Sequence, residues 1–187
     1  MCQEPPKLNQ KNESYKRFGS VISLYLNYAL RTIHMLKKFL FFLLILLVII
    51  QFIRPAGNHS ATLSANDITR HYTVPDSVLT ILKRSCYDCH SNNTVYPWYN
   101  HIQPVAWWLN NHIKEGKREL NFSEFASYSA KKQAHKMKGL VEQLQKDWMP
   151  LNTYLWIHKD AIMSPEEKTL VINWADSLQA DIAKGQH

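Results

Sequence analysis

The segment that most limits how this chain can fold is the run Phe39–Ile53. Fifteen residues separate Lys38 from Arg54, and Gln51 is the only polar one among them. The run is apolar on every side, so it has no face to turn toward water as the surface helix of a soluble domain does. As a helix it spans about 22 Å at 1.5 Å per residue. That is short of a hydrocarbon core of roughly 30 Å. Met35 and Leu36 lengthen it if Lys37 and Lys38 snorkel toward the headgroups. A basic pair ahead of an apolar stretch also fits a secretory signal. The sequence that follows, Arg54-Pro-Ala-Gly-Asn-His-Ser-Ala, has no Ala-x-Ala cleavage site. Residues 39–53 are therefore expected to be an uncleaved signal anchor, a single transmembrane helix.

The charge distribution orients that helix. The chain of 187 residues has 22 Lys+Arg and 15 Asp+Glu, a formal charge of +7. Residues 1–38 hold +5 of it, the apolar run none, and residues 54–187 only +2. Near the run, Arg31, Lys37 and Lys38 precede it and Arg54 and Arg70 follow. The excess on the N-terminal side predicts a cytoplasmic N-terminus and an exported C-terminal part. The expected setting is a bacterial inner membrane crossed once, with residues 54–187 in the periplasm. The basic excess then reads as topology, and no nucleic-acid partner is expected. Residues 1–38 are either a cytoplasmic tail or an over-extended start, because Met35-Leu-Lys-Lys is a more ordinary beginning for an exported chain.

Past the anchor, residues 54–74 lack sustained periodicity and read as a linker. A domain is expected over 75–187. Four helical signals lie in it. Asp76 or Ser77 caps a short helix running into Cys86. Residues 102–113 place Ile102, Val105, Ala106, Leu109 and Ile113 at helical spacing, with Gly116 as a stop. Residues 130–148 repeat the pattern through Ala134, Met137, Val141, Leu144 and Trp148. The last helix has the clearest start, Ser164-Pro-Glu-Glu167, a capping box with Pro in the first turn. Alternating strand patterns are absent, so the fold class is all-α with long loops.

Residues 86–90 read Cys-Tyr-Asp-Cys-His. Cys-x-x-Cys-His is the attachment motif of c-type haem. Two thiols at this spacing reach the two porphyrin vinyl groups, and the next residue brings an imidazole to the iron. Two other uses of a Cys pair compete. A thioredoxin-like dithiol wants a strand before it and a βαβ pattern around it. A zinc site needs a second ligand pair, and the only other cysteine is Cys2, across the expected membrane. Three cysteines are too few for a disulfide scaffold. Haem c is the cofactor the motif favours: one, covalent, with iron on His90. Such attachment takes place on the exported side of the bacterial membrane, in agreement with the predicted topology.

All six Trp lie between residues 98 and 174. So aromatic a domain suits a large flat ligand. The second iron ligand has several candidates: Met137, Met149, Met163, His101, His112, His135 and His158. Met149 precedes Pro150 in a loop between helices, which is where a distal Met commonly sits, and it is the preferred choice. Met137 falls on an apolar stripe and reads as core.

These residues resemble the bacterial haem-binding domain family with a single Cys-x-x-Cys-His motif. The similarity covers about residues 75–187. It rests on Ser85–Thr94, Tyr96-Pro97-Trp98-Tyr99, Ile102–Trp107, His112–Gly116, Leu120–Ser123, Trp148–Leu151, Tyr154–His158 and Met163 through Trp174. The resemblance implies a cytochrome c-like helical domain with haem on Cys86 and Cys89 and iron on His90. It also brings Tyr96, Pro97, Trp98 and Trp174 into the expected cofactor-binding set beside Met149. The resulting expectation is a membrane-anchored, periplasm-facing electron carrier with redox protein partners, and not an enzyme. The alternative is a haem-based sensor or peroxidase-like enzyme with an open or labile sixth iron position.

Overall fold

The computed structural model describes residues 8–185, with side chains described from Arg17 onward. The first seven residues of the expected cytoplasmic tail, Cys2 among them, lie outside the described residues. The chain divides into two compact units at Ile53 and Arg54.

The first unit is one long helix, α1 (Leu8–Ile50). The stretch Arg17–Ile50 is long and apolar enough to cross a membrane. Residues 8–38, part of the stretch read as a cytoplasmic tail or an over-extended start, are helical and continuous with the apolar run. No proline interrupts them, and Lys, Arg, Leu and Tyr keep helical backbone at little cost. The apolar run itself outlasts the helix. Gln51 and Phe52 form a closing turn, with the N–H of Ile53 donating to the Ile50 carbonyl at 3.1 Å.

The second unit is all-α, with no strand among its described residues. In chain order it contains α2 (Ile68–His71), α3 (Asp76–Ser85), α4 (Tyr87–His90), α5 (Val105–Glu119), α6 (Ala130–Gln145), α7 (Asn152–Leu155) and α8 (Pro165–Lys184). Short 3-10 turns at 98–101, 122–127 and 159–161 join them. The core is built by the buried stripes of α3, α6 and α8. Val78, Ile81 and Leu82 meet Met137, Val141 and Leu144 from α6, and Val171, Trp174, Leu178 and Ile182 from α8. Phe122 and Phe125 of the 3-10 turn are fully enclosed in the same cluster. Each such large side chain contributes roughly 1.5–3 kcal/mol by leaving water.

The predicted start of α8 is present in full. Ser164 Oγ accepts from the Glu167 N–H, and the Glu167 carboxylate accepts from the Ser164 N–H. Three boundaries differ from the sequence reading. First, residues 54–74 are not a free linker. Asp67 caps α2 and Ile68 is fully buried, so the segment packs as part of the domain. Its short, irregular apolar content gives no period to detect.

Second, α5 does not stop at Gly116 but runs to Glu119. The glycine serves a close approach instead. A Cβ at position 116 would lie 2.6 Å from the Cys89 carbonyl oxygen.

Third, α6 ends at Gln145 rather than Trp148. Asp147 turns into the left-handed region with φ 54°. The Trp148 N–H then donates to the Gln143 carbonyl at 3.0 Å, and the Asp147 N–H to the Leu144 carbonyl at 3.2 Å. These are the paired bonds of a Schellman ending, formed here on an Asp, whose side chain tolerates that backbone better than most. Lys168 of α8 salt-bridges the Asp147 carboxylate. The ending throws Met149 off the helix and away from the apolar stripe.

Candidate haem site

The motif starts where α3 ends. Cys86 breaks the helix with φ −130° and ψ −38°, and α4 is a single turn. Its carbonyl accepts from the N–H groups of Cys89 (3.2 Å) and His90 (2.9 Å). That turn brings both thiols and the imidazole to one side, against two adjoining cavities of about 340 and 370 Å³. Each lies within the range of roughly 300–1,000 Å³ typical of ligand sites. Cys86, His90, Glu119, Met149 and Pro150 line both cavities, and Cys89 lines the first. Met149, 59 positions after His90 in the sequence, therefore lines the same two cavities as Cys86 and His90.

His90 is held in a defined tautomer. Its Nδ1 lies 2.9 Å from the Leu120 carbonyl oxygen. A carbonyl only accepts, so Nδ1 carries the hydrogen and Nε2 keeps its lone pair. Burial lowers the His90 pKa, with carbonyl contacts from Leu120 and Gly116 opposing that only in part. The ring is thus neutral at pH 7, the form that ligates a metal. The Leu120 carbonyl is itself fixed by its neighbours. The Asn121 N–H donates to Tyr128 Oη (3.2 Å), and Asn121 Nδ2 donates to Asn92 Oδ1 (2.9 Å). Asn92 also donates to Ser123 Oγ at 3.1 Å and to Glu124 Oε1 at 2.8 Å.

The thiols are protonated. Burial, assisted by the neighbouring Cys89, pushes Cys86 up to about 12. Burial and then the Asp88 charge push Cys89 up to about 11. A reactive dithiol needs the opposite, a lowered pKa and a thiolate. Among the described residues no group of three or more His, Cys, Asp or Glu is gathered for a metal ion. The cysteine pair therefore lacks the further ligands that zinc would need. Neutral thiols beside an apolar cavity and a neutral, oriented imidazole fit a haem.

Asp88, inside the motif, is tied down on its outer side. Its carboxylate accepts from Tyr154 Oη (2.8 Å) and the Val95 N–H (3.0 Å), and its carbonyl accepts from Thr94 Oγ1 (2.6 Å). Tyr154 stacks on His158, the ring centroids 4.2 Å apart. His158 Nε2 shares a hydrogen bond with Tyr99 Oη at 2.9 Å.

The other expected site residues separate. Met149 lines both cavities together with His90. Met137 and Met163 are buried in the core. His158 is engaged with Tyr99, and His101 is exposed. His112 lines the first cavity and His135 the second.

Trp174 is not a cavity residue. It sits in the core, and its Nε1–H donates to the Thr73 carbonyl at 3.2 Å. Tyr96 and Pro97 do not line the two cavities either. Tyr96 Oη accepts from the Asn58 N–H at 2.7 Å, and Pro97 begins a 3-10 turn. Trp98 lines a third cavity, which touches Cys89 but neither His90 nor Met149. The expected tryptophan wall is thus absent from the two cavities shared by Cys86, His90 and Met149. Their lining is Leu140, Leu144, Leu151, Phe122 and Pro150 with a charged rim at Glu115, Arg118, Glu119 and Lys136. Composition counts tryptophans but cannot say which surface they cover.

The sequence reading also missed Leu120 and Gly116, which act through backbone atoms.

A helical domain that gathers two thiols, an oriented imidazole and a thioether around one apolar space belongs to the class of haem-binding proteins. Residues 45–177 match the haem-binding domain family, and the chain belongs to that family. No curated protein matches the chain. No solved structure matches it either.

Proposed function

We propose that this chain is a membrane-anchored c-type cytochrome that holds one covalent haem on the periplasmic side of a bacterial inner membrane and passes electrons between redox proteins. The observation that supports this best is the convergence of Cys86, His90 and Met149 on the same two cavities. When bound, haem supplies a one-electron iron couple. The protein's part is to tether, ligate and shield. Cys86 and Cys89 would form the thioethers. His90 Nε2 would ligate the iron, with Nδ1 anchored on Leu120, and the Met149 sulfur would be the second ligand. The apolar lining keeps water from the centre and so biases the potential. In this reading the chain is a carrier and not an enzyme, and it has no nucleic-acid partner. The apolar part of α1 is the anchor, and the Lys/Arg excess ahead of it orients the domain outward.

The test uses the full chain purified from membranes. Haem should stay with the polypeptide on a denaturing gel, and His90→Ala should abolish the normal visible spectrum. Absence of covalent haem would overturn the proposal. The native chain should take up and release one electron reversibly without binding carbon monoxide, and Met149→Ala should bind carbon monoxide readily. Rapid binding to the native chain, with an unchanged spectrum in Met149→Ala, would select the sensor or peroxidase-like alternative.

A further inference from the structure

Lys136 of α6 lines the second cavity together with His90 and Met149, and its side chain is only 14% exposed. Among the described residues, the carboxylate that pairs with it is Glu119, at 3.8 Å and itself 68% exposed. Lys138 stands two residues on in the same helix and gives a direct contrast. It has Glu142 at the same 3.8 Å, but it is 63% exposed, so water serves its ammonium. A cation largely withdrawn from water is costly unless an anion and hydrogen bonds replace the solvent. A carboxylate beyond hydrogen-bond distance and mostly in water replaces little of it. The neighbouring wall gives no reason for a cation either. Leu140 and Leu144 on the same helix, with Phe122 and Pro150, are apolar.

The chemistry of the proposed cofactor supplies an anion. Haem carries two propionate carboxylates, on the half of the macrocycle away from its vinyl groups. With the vinyl groups bonded to Cys86 and Cys89, the propionates fall to walls other than α4. α5 and α6 form those walls, and the Lys and Arg side chains they bring to the two cavities are Arg118 and Lys136. Arg118 is 73% exposed and has Glu119 at 3.6 Å, so water and a neighbour already serve it. Lys136 is the sheltered one. Its charge also reaches the proposed iron ligand. Beyond burial and the contacts with the Leu120 and Gly116 carbonyls, the Glu119 charge acts to raise the His90 pKa and the Lys136 charge to lower it.

We propose that Lys136 holds a haem propionate in the second cavity and through that ion pair keeps positive charge beside the iron. The proposal rests on covalent haem at Cys86 and Cys89, and deepens that reading by assigning the carboxylate end of the cofactor. A propionate gives the ammonium the charge-assisted hydrogen bond that Glu119 is too far away to make. Ferric iron carries one more positive charge than ferrous iron, so a nearby cation favours the reduced state and raises the potential.

The test compares Lys136→Met, Lys136→Arg and Lys138→Met in the full chain purified from membranes, each carrying covalent haem. Resonance Raman spectroscopy follows the propionate bending band, and a spectroelectrochemical titration gives the midpoint potential. Lys136→Met should shift the band and lower the equilibrium constant for reduction about tenfold, which is about 59 mV for one electron. Lys136→Arg should restore most of both. Lys138→Met, whose charge is exposed and screened, should match the parent within about twofold. A propionate band in Lys136→Met equal to the parent's would overturn the proposal and leave the covalent haem intact. So would a Lys138→Met effect as large as that of Lys136→Met. If Lys136→Met does not accumulate, Lys136→Gln takes its place, and an unmoved band there would overturn the proposal equally. A parent chain without covalent haem would overturn the proposed function and this assignment together.

Discussion

The substitution Gly116→Ala probes the contact on which the motif depends. Position 116 lies inside α5, where Ala is ordinarily preferred to Gly by roughly 0.5–1 kcal/mol. Propensity alone therefore predicts a gain. The packing predicts the reverse. The new methyl would lie 2.6 Å from the Cys89 carbonyl oxygen, 3.1 Å from its Cβ and 3.2 Å from its carbonyl carbon. Two of these three atoms belong to the backbone of the motif turn, so no side chain can swing aside. Restoring ordinary contact at 3.4 Å to the oxygen requires α5 and α4 to part by about 0.8 Å. Overpacking of this kind costs about 1–3 kcal/mol. Set against the propensity gain, the net loss is on the order of 1–2 kcal/mol. For a domain of this size that lowers the thermal midpoint by roughly 4–8 °C.

The displacement should also reach His90, the proposed iron ligand. The Gly116 carbonyl accepts from the Leu120 N–H at 2.8 Å, and the Leu120 carbonyl holds His90. Thermal unfolding of the full chain in detergent, followed by tryptophan fluorescence, measures the domain alone, because no Trp lies before residue 98. Lys114→Ala, on the exposed side of the same helix, is the control and should stay within about 0.5 kcal/mol of the parent. A Gly116→Ala midpoint equal to or above that of Lys114→Ala would refute the close-approach argument.

Three further outcomes are expected. Asn58→Ala removes both side-chain amide bonds and the acceptor of Lys117 Nζ (2.6 Å), so it should destabilise by about 2 kcal/mol and expose residues 54–66 to limited proteolysis. Tyr154→Phe leaves the Asp88 carboxylate with the Val95 N–H and no phenol donor; a urea titration should show a loss of about 1–2 kcal/mol. Burial acts to raise the Glu124 pKa, but hydrogen bonds from Asn66, Ser64 and Asn92 and the Lys117 charge outweigh it and hold the group below its ordinary value. Its stabilisation is therefore present above the unfolded carboxylate range and is lost as the pH falls through the folded pKa. Glu124→Gln should cost up to about 1 kcal/mol at pH 7, discounted for its exposure, and the difference from the parent should shrink as the pH is lowered through the folded pKa, which lies below the ordinary glutamate value. A difference that did not shrink with falling pH would contradict this.

What local sequence carries, it carried plainly. The Ser164 capping box, the stripes of α3, α6 and α8 and the apolar run in α1 are written in residue type and period, and they form the elements expected of them. The attachment motif is equally local: five consecutive residues hold both thiols and the imidazole. Met149 was singled out by its place before Pro150, and its entry into the cavity depends on the Schellman ending at Asp147. That ending could have been suspected from Asp147, since Asp is one of the few residues that adopt the left-handed backbone.

Tertiary packing decided the rest. Gly116 reads as a helix stop until Cys89 is seen against it. Leu120 matters through a carbonyl, which every residue has. Asn58 and Asn66 join a segment without period to the domain through hydrogen bonds that span up to 59 residues. Trp174 and Trp98 look alike in a composition, yet one fills the core and the other meets solvent. The sequence by itself determined the helical class, the charge asymmetry about the apolar run and the Cys-x-x-Cys-His motif, because these depend on near neighbours along the chain. Only the fold decided which groups share a cavity, which tautomer His90 keeps and which aromatic rings remain exposed, because these depend on distances between residues that the chain order leaves open.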